Sequence, residues 1–253
     1  MSSMSFGSSS GLPEQCEHVC SFIESERAHL ERLRQPCEKE DGEGPNIVLV
    51  GHSIGAYVAF SAAKRAGLFE GKIGSVPTCA VGLMPFLEHN ELPSLQSRVR
   101  AASAWWAPAL FIVLSVIGQL VGKLPFFVKK LIFRAVEKDA SRFSPEMVDL
   151  TLNSIPRFDT LYNILTLFRT EAQLLQPPYD HKSLKYGLDG KLALLYAGGD
   201  LDMWAPSSSA KRAVEQGVDV TIEDGLPHAF SVTPASRQRV VDLICSMLAS
   251  MPS

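Results

Sequence analysis

Residues Gly51-His52-Ser53-Ile54-Gly55 read G-x-S-x-G. A serine hydroxyl is a poor nucleophile unless a base takes its proton as it attacks. The chain offers a base and an orienting acid further on. After the apolar run 192–196 comes Gly198-Gly199-Asp200-Leu201-Asp202-Met203-Trp204-Ala205-Pro206. A carboxylate just past a strand end is where the group that holds an imidazole belongs. Asp202, four residues before Pro206, is preferred to Asp200. After a second apolar run, 218–222, comes Asp224-Gly225-Leu226-Pro227-His228-Ala229-Phe230. His228 then stands where a general base should, and the order is Ser, Asp, His. The chemistry expected of Ser53, His228 and Asp202 is acyl transfer: serine attacks an ester carbonyl, histidine moves the proton, and the aspartate fixes the imidazole tautomer.

The other five histidines have worse positions. His18 and His29 precede the first strand, His89 and His181 fall in a long insertion, and His52 adjoins the serine on the wrong side of the turn. They are expected at the surface or in support. The glycines are expected to matter sterically. Both Gly51 and Gly55 should let a strand and a helix pass closely where a Cβ would clash. The helix N-terminus behind Ser53 supplies free N–H groups and a positive dipole end, so the Ile54 N–H is the expected oxyanion donor.

Those residues need a scaffold that brings strand ends together. The run 46–50, Asn-Ile-Val-Leu-Val, is continuous, apolar and β-branched, which suits a strand buried on both faces of a parallel sheet. Similar runs occupy 76–81, 192–197 and 218–222. Helical patterns flank them. One covers 12–33, one opens right after Ser53, and one ends the chain with a stripe of Val240, Val241, Ile244, Met247 and Leu248. Strands alternating with helices predict an α/β fold with a parallel sheet. Residues 1–11 are Ser/Gly-rich and expected to be disordered. Residues 36–45 read as a charged loop. From 12 to 253 a single domain is expected.

Residues 85–190 interrupt the alternation with a helical insertion. No charged residue falls between Arg100 and Lys123. Trp105 and Trp106 stand at one end of this apolar stretch, and Lys123, Lys129, Lys130 and Arg134 at the other, an arrangement found at membrane interfaces. Three readings remain open: a buried cap helix, a bent element lying in a membrane interface, and a spanning helix. Pro108 and Pro125 bracket the apolar part and favour the bent element.

Bulk properties exclude several classes. The 253 residues carry a net charge of −3, which gives no footprint for nucleic acid. Five cysteines at irregular spacings (Cys16, Cys20, Cys37, Cys79 and Cys245) make no zinc pattern, and reduced, mostly buried thiols are expected. No metal or other cofactor is implied. The N-terminus lacks the apolar run of a signal peptide.

The elbow Gly51–Tyr57, the acid loop Asp202–Pro206 and the segment Pro227–Phe230, with the Trp-rich apolar insertion, resemble the lipid droplet-associated hydrolases. The resemblance runs from about Gln15 to the C-terminus. It implies an α/β-hydrolase fold with an apolar cap insertion, and a serine esterase or lipase acting on neutral-lipid or sterol esters. It further implies residence at lipid droplets and the cytosolic face of the endoplasmic reticulum membrane. One departure matters. The family has a strand ending in a Pro-Gly-Asn-Pro-Gly loop before the elbow, expected to furnish a second oxyanion donor, and nothing here matches it. The chain is therefore expected to lack the fold's N-terminal strands. The alternative to an esterase is a lipid-binding protein that keeps the three residues without turnover.

Overall fold

The computed structural model describes residues 11–34, 47–65, 78–89, 93–136, 143–175, 178–188, 191–198, 202 and 204–251. The expected disorder of 1–10, the loop at 36–45, Cys37 and the alternative acid Asp200 lie outside the described residues. Helix α1 (Leu12–Arg34) leads into β1 (Ile47–His52), α2 (Ile54–Arg65) and β2 (Thr78–Leu83). Six helices follow: α3 (Pro93–Ser103), α4 (Ala107–Gly122), α5 (Phe126–Val136), α6 (Pro145–Ser154), α7 (Phe158–Leu174) and α8 (His181–Gly187). Then come β3 (Leu192–Ala197), α9 (Ser207–Glu215), β4 (Asp219–Glu223) and α10 (Pro234–Ser250).

The four strands form one parallel sheet in the order β1-β2-β3-β4. Gly51 sits beside Gly82, Leu83 beside Leu195, and Ala197 beside Glu223. Parallel pairing sets the C-terminal ends of neighbouring strands side by side, so residues just past β1, β3 and β4 converge. β3 is buried at every residue, as a central strand covered on both faces should be. β1 differs from that expectation. Among the described residues it is an edge strand, and Val48 and Val50 on one face are 44% and 47% exposed. The opposite face carries Leu49, which packs with α1 and α2 through Ile23, Ala62 and Ala63.

Two compact units are distinguished. The sheet unit comprises Pro13–Leu95, Leu175–His228 and Val241–Ser253; the helical unit is built mainly from Gln96–Leu174 and Ala229–Val240. In α10, Val240 and Met247 are buried while Val241 is exposed, so the expected stripe loses one member. The thiols also depart from expectation: Cys16 is buried, Cys20 and Cys79 are half-buried, Cys245 is exposed, and these four are free.

In the helical unit, α4 rests on α7. Phe111 and Ala107 join Ala102 and Ala172 in a small core. A Cβ on Gly118 would lie 1.9 Å from Leu161 Cδ1, and one on Gly122 2.1 Å from the Pro156 carbonyl oxygen. The face of α4 turned to α7 therefore sets Phe111 among small residues, Ala107, Ser115 and Gly118, that permit close approach. Its other face exposes Leu110, Ile112, Val113, Leu114, Val116, Ile117 and Leu120. α6 begins with a capping serine, Ser144, whose side chain accepts the Met147 N–H at 3.3 Å, followed by Pro145 in its first turn. α4 has 16 residues, short of the ~20 needed to span. Among the described residues no single helix is long and apolar enough to cross a membrane. Ser97–Ser103 and Ala107–Gly122 pass such a test only as a pair bent by 97°.

Candidate active site

Ser53 follows directly on β1, and α2 begins at the next residue. To turn the chain that sharply, Ser53 adopts φ +54°, the left-handed region that a side chain disfavours by roughly 1–2 kcal/mol. The surroundings hold it there. Its N–H donates to the Leu83 carbonyl at 3.0 Å, and its own carbonyl accepts the N–H groups of Ala56 and Phe86, each at 3.1 Å. A Cβ on Gly51 would lie 2.4 Å from Ala56 Cα and 2.6 Å from Ala56 N, so only glycine lets the strand pass the helix here. The same expectation does not hold for Gly55, where an added Cβ meets nothing within 4 Å.

Asp202, buried past the end of β3, uses both carboxylate oxygens. Oδ1 accepts the backbone N–H groups of Trp204 and Ala205, both at 3.0 Å. Oδ2 accepts from His228 Nδ1 at 2.7 Å. A carboxylate oxygen accepts here from Nδ1, and in a neutral imidazole that leaves Nε2 as the acceptor. That nitrogen stands 3.0 Å from Ser53 Oγ. The structure thus brings together all three residues singled out in the sequence, with Ser53 and Asp202 each within hydrogen-bond reach of His228. Ile54, the first residue of α2, has no acceptor for its N–H within the helix.

His52 supports this group. Its Nε2 lies 2.9 Å from the His228 carbonyl oxygen, and the two rings tilt against each other with centroids 5.1 Å apart. Burial holds the His52 pKa below the usual histidine range, outweighing the hydrogen bond to His228, so the ring is neutral and donates. Of the other histidines, His18 and His29 are exposed, as expected. His89 and His181 are buried, not at the surface. Burial also lowers the His181 pKa, against the pull of the nearby Glu88 carboxylate.

Sequence reasoning missed the segment 84–89, which follows β2. Met84 takes φ +42° and sends its N–H to the Leu195 carbonyl at 2.6 Å. Phe86 holds the Ser53 carbonyl through its N–H and meets the Trp204 ring edge-on at 5.4 Å. Glu88 is buried against α9. Only the Pro-Phe-Leu run hinted at burial; nothing local marks its contacts.

A parallel sheet flanked by helices, with a serine turn at a strand end, defines the α/β-hydrolase class. The chain belongs to the lipid-droplet associated hydrolase family, whose model matches residues 4–231. Among solved structures, the chain is similar to a thermophilic esterase from Thermogutta terrifontis at 14% identity and a TM-score of 0.44, covering 80% of this chain and 65% of that one. An esterase from Rhodococcus gives 18% identity and a TM-score of 0.43, covering 81% and 66%. A hydrolase from Oleispira antarctica gives 13% identity and a TM-score of 0.45, with the same coverage. The chain therefore spans less than two thirds of the length of these proteins. No match was found among curated protein sequences.

Proposed function

We propose that this protein is a serine hydrolase of carboxylic esters acting at a lipid surface. The observation that carries the reading is the unbroken path Ser53 Oγ, His228 Nε2, His228 Nδ1, Asp202 Oδ2, with links of 3.0 and 2.7 Å. Ser53 Oγ attacks the ester carbonyl as His228 Nε2 takes its proton. Asp202 stabilises the imidazolium that forms. The carbonyl oxygen gathers negative charge and is met by the Ile54 N–H at the start of α2. His228 returns the proton to the leaving alcohol, which departs and leaves an acyl-serine. Water, deprotonated by the same nitrogen, releases the acid and restores Ser53.

The lipid half of the reading rests on the exposed apolar side of α4 and its continuation in α5, where Phe127, Leu131 and Val136 are also exposed. Trp105, 89% exposed just before α4, adds an interfacial anchor. Lys130 lies 4.6 Å over the Phe126 ring, a basic group beside an apolar one as interfaces favour. The family resemblance points to neutral-lipid or sterol esters as the substrates, and to lipid droplets or the endoplasmic reticulum membrane as the location.

A fluorophosphonate probe tests the chemistry. It should label the parent at Ser53 and leave Ser53→Ala unlabelled. Asp202→Asn and His228→Ala should each cut labelling by at least about 10³, and combining them should add little, because the three groups act as one. Equal labelling of parent and Ser53→Ala would remove the hydrolase reading and leave lipid binding alone.

A further inference from the structure

Glu88 is a carboxylate 2% exposed that takes no part in the proton path. Its Oε1 accepts from Ser209 Oγ at 3.0 Å and from Arg212 Nε at 2.9 Å, and Arg212 Nη2 closes a second bond to the same oxygen. Its Oε2 accepts the Tyr179 N–H at 2.8 Å. Ser209 and Arg212 both lie on α9, which starts directly after Pro206, the end of the acid loop. Two residues before Glu88, Phe86 grips the Ser53 carbonyl with its N–H and Trp204 of the acid loop with its ring. One short segment therefore touches the nucleophile's backbone, the acid loop and the helix that anchors that loop.

A buried carboxylate is costly unless every lone pair is answered. Here four donors answer it, and three come from a single helix. An apolar residue would fill the same space at lower desolvation cost, so bulk stability alone gives little reason for a charge. A charge-assisted fork fixes direction as well as contact. What it fixes is the placement of α9, and through Pro206 the placement of Asp202 relative to Ser53.

We infer that Glu88, gripped by Arg212 and Ser209, is a positioning residue that sets the distance between the acid loop and the nucleophile. This rests on the serine-hydrolase reading above. It acts through Asp202 and His228 and does not touch substrate.

The test is single-turnover labelling of the full-length chain with a fluorophosphonate, recording both the fraction of protein labelled and the rate constant. Glu88→Gln keeps the shape and the Tyr179 contact but removes the charge. The expected result is full labelling at a rate constant lowered about 10-fold or more, because a small misplacement of reacting groups is costly. The apparent affinity for the probe should stay unchanged. Arg212→Lys, which keeps the charge but loses the fork, should show the same pattern and serves if Glu88→Gln fails to fold. A parental rate constant in both variants overturns the inference. So does a loss of labelled fraction with the remaining molecules reacting at the parental rate, since that is a folding role only. A parent unlabelled at Ser53 removes the hydrolase reading and this inference with it, an outcome distinct from the other two.

Discussion

The His52 ring donates to the backbone carbonyl of His228 at 2.9 Å, so the residue before Ser53 holds the loop that carries His228. One end of the His228 residue is set by Asp202 and the other by His52. A single neutral hydrogen bond is worth about 1 kcal/mol. His52→Phe keeps the ring and loses the donor. It should lower the probe-labelling rate several-fold at unchanged labelled fraction, with urea stability down by about 1 kcal/mol. A rate equal to the parent's would show that the loop holds itself.

Gly51 and Gly55 should separate sharply. Gly51→Ala drives a methyl to within 2.4 Å of the α2 backbone, so the elbow must open. Loss of nearly all labelling is expected, with a fall in thermal midpoint. Gly55→Ala meets nothing within 4 Å and lies inside α2. It should fold as well as the parent or gain up to about 1 kcal/mol from helix propensity. Equal damage from the two substitutions would contradict the geometry.

Glu171, in α7, is buried, and that burial raises its pKa from 4.5 to about 7. A carboxyl whose folded pKa is raised stabilises the fold below its unfolded pKa, and this contribution is lost as pH climbs toward 7. The loss amounts to about 3 kcal/mol between those limits. His52 and His181, with lowered pKa values, act oppositely, losing stability as pH falls below 6.5. Urea unfolding of the parent beside Glu171→Gln separates the two effects. The parent should lose ground to the variant between pH 4.5 and 7 and run parallel to it above. A difference independent of pH would mean the carboxyl is already ionised at pH 5.

The exposed side of α4 should carry attachment to lipid. Replacing Val113, Val116, Ile117 and Leu120 with Ser or Gln touches no residue of the α4 core. Each apolar side chain is worth roughly 1.5–3 kcal/mol on full burial. The quadruple variant should therefore lose at least about tenfold in flotation with triolein droplets coated in phospholipid, with unchanged circular dichroism. Undiminished flotation would detach α4 from the lipid reading.

How far the sequence carried these conclusions depended on whether a signal was local. β3 was readable because six consecutive apolar residues have no solvent-facing alternative. That Ser53, Asp202 and His228 come together was readable because each follows a strand, and parallel pairing turns chain order into proximity. Phe111, one of five α4 residues that look alike in sequence, belongs to the core while Leu110 and Ile112 do not. That choice is made by α7, whose Leu161 fits against Gly118. Glu88 was hidden for a similar reason, since its partner Arg212 lies 124 positions away and nothing near either residue announces the other. The half-exposed valines of β1 were misread because a β-branched run looks the same in a central strand and at an edge.

On the proposed function, the left-handed backbone at Ser53 sets folding and chemistry against each other at one residue. Glycine would adopt φ +54° without penalty, so Ser53→Gly should raise the melting temperature where Ser53→Ala gains little. A population of variants screened for thermal survival alone would drift toward glycine at this position. Serine persists there only under a selection that rewards its hydroxyl.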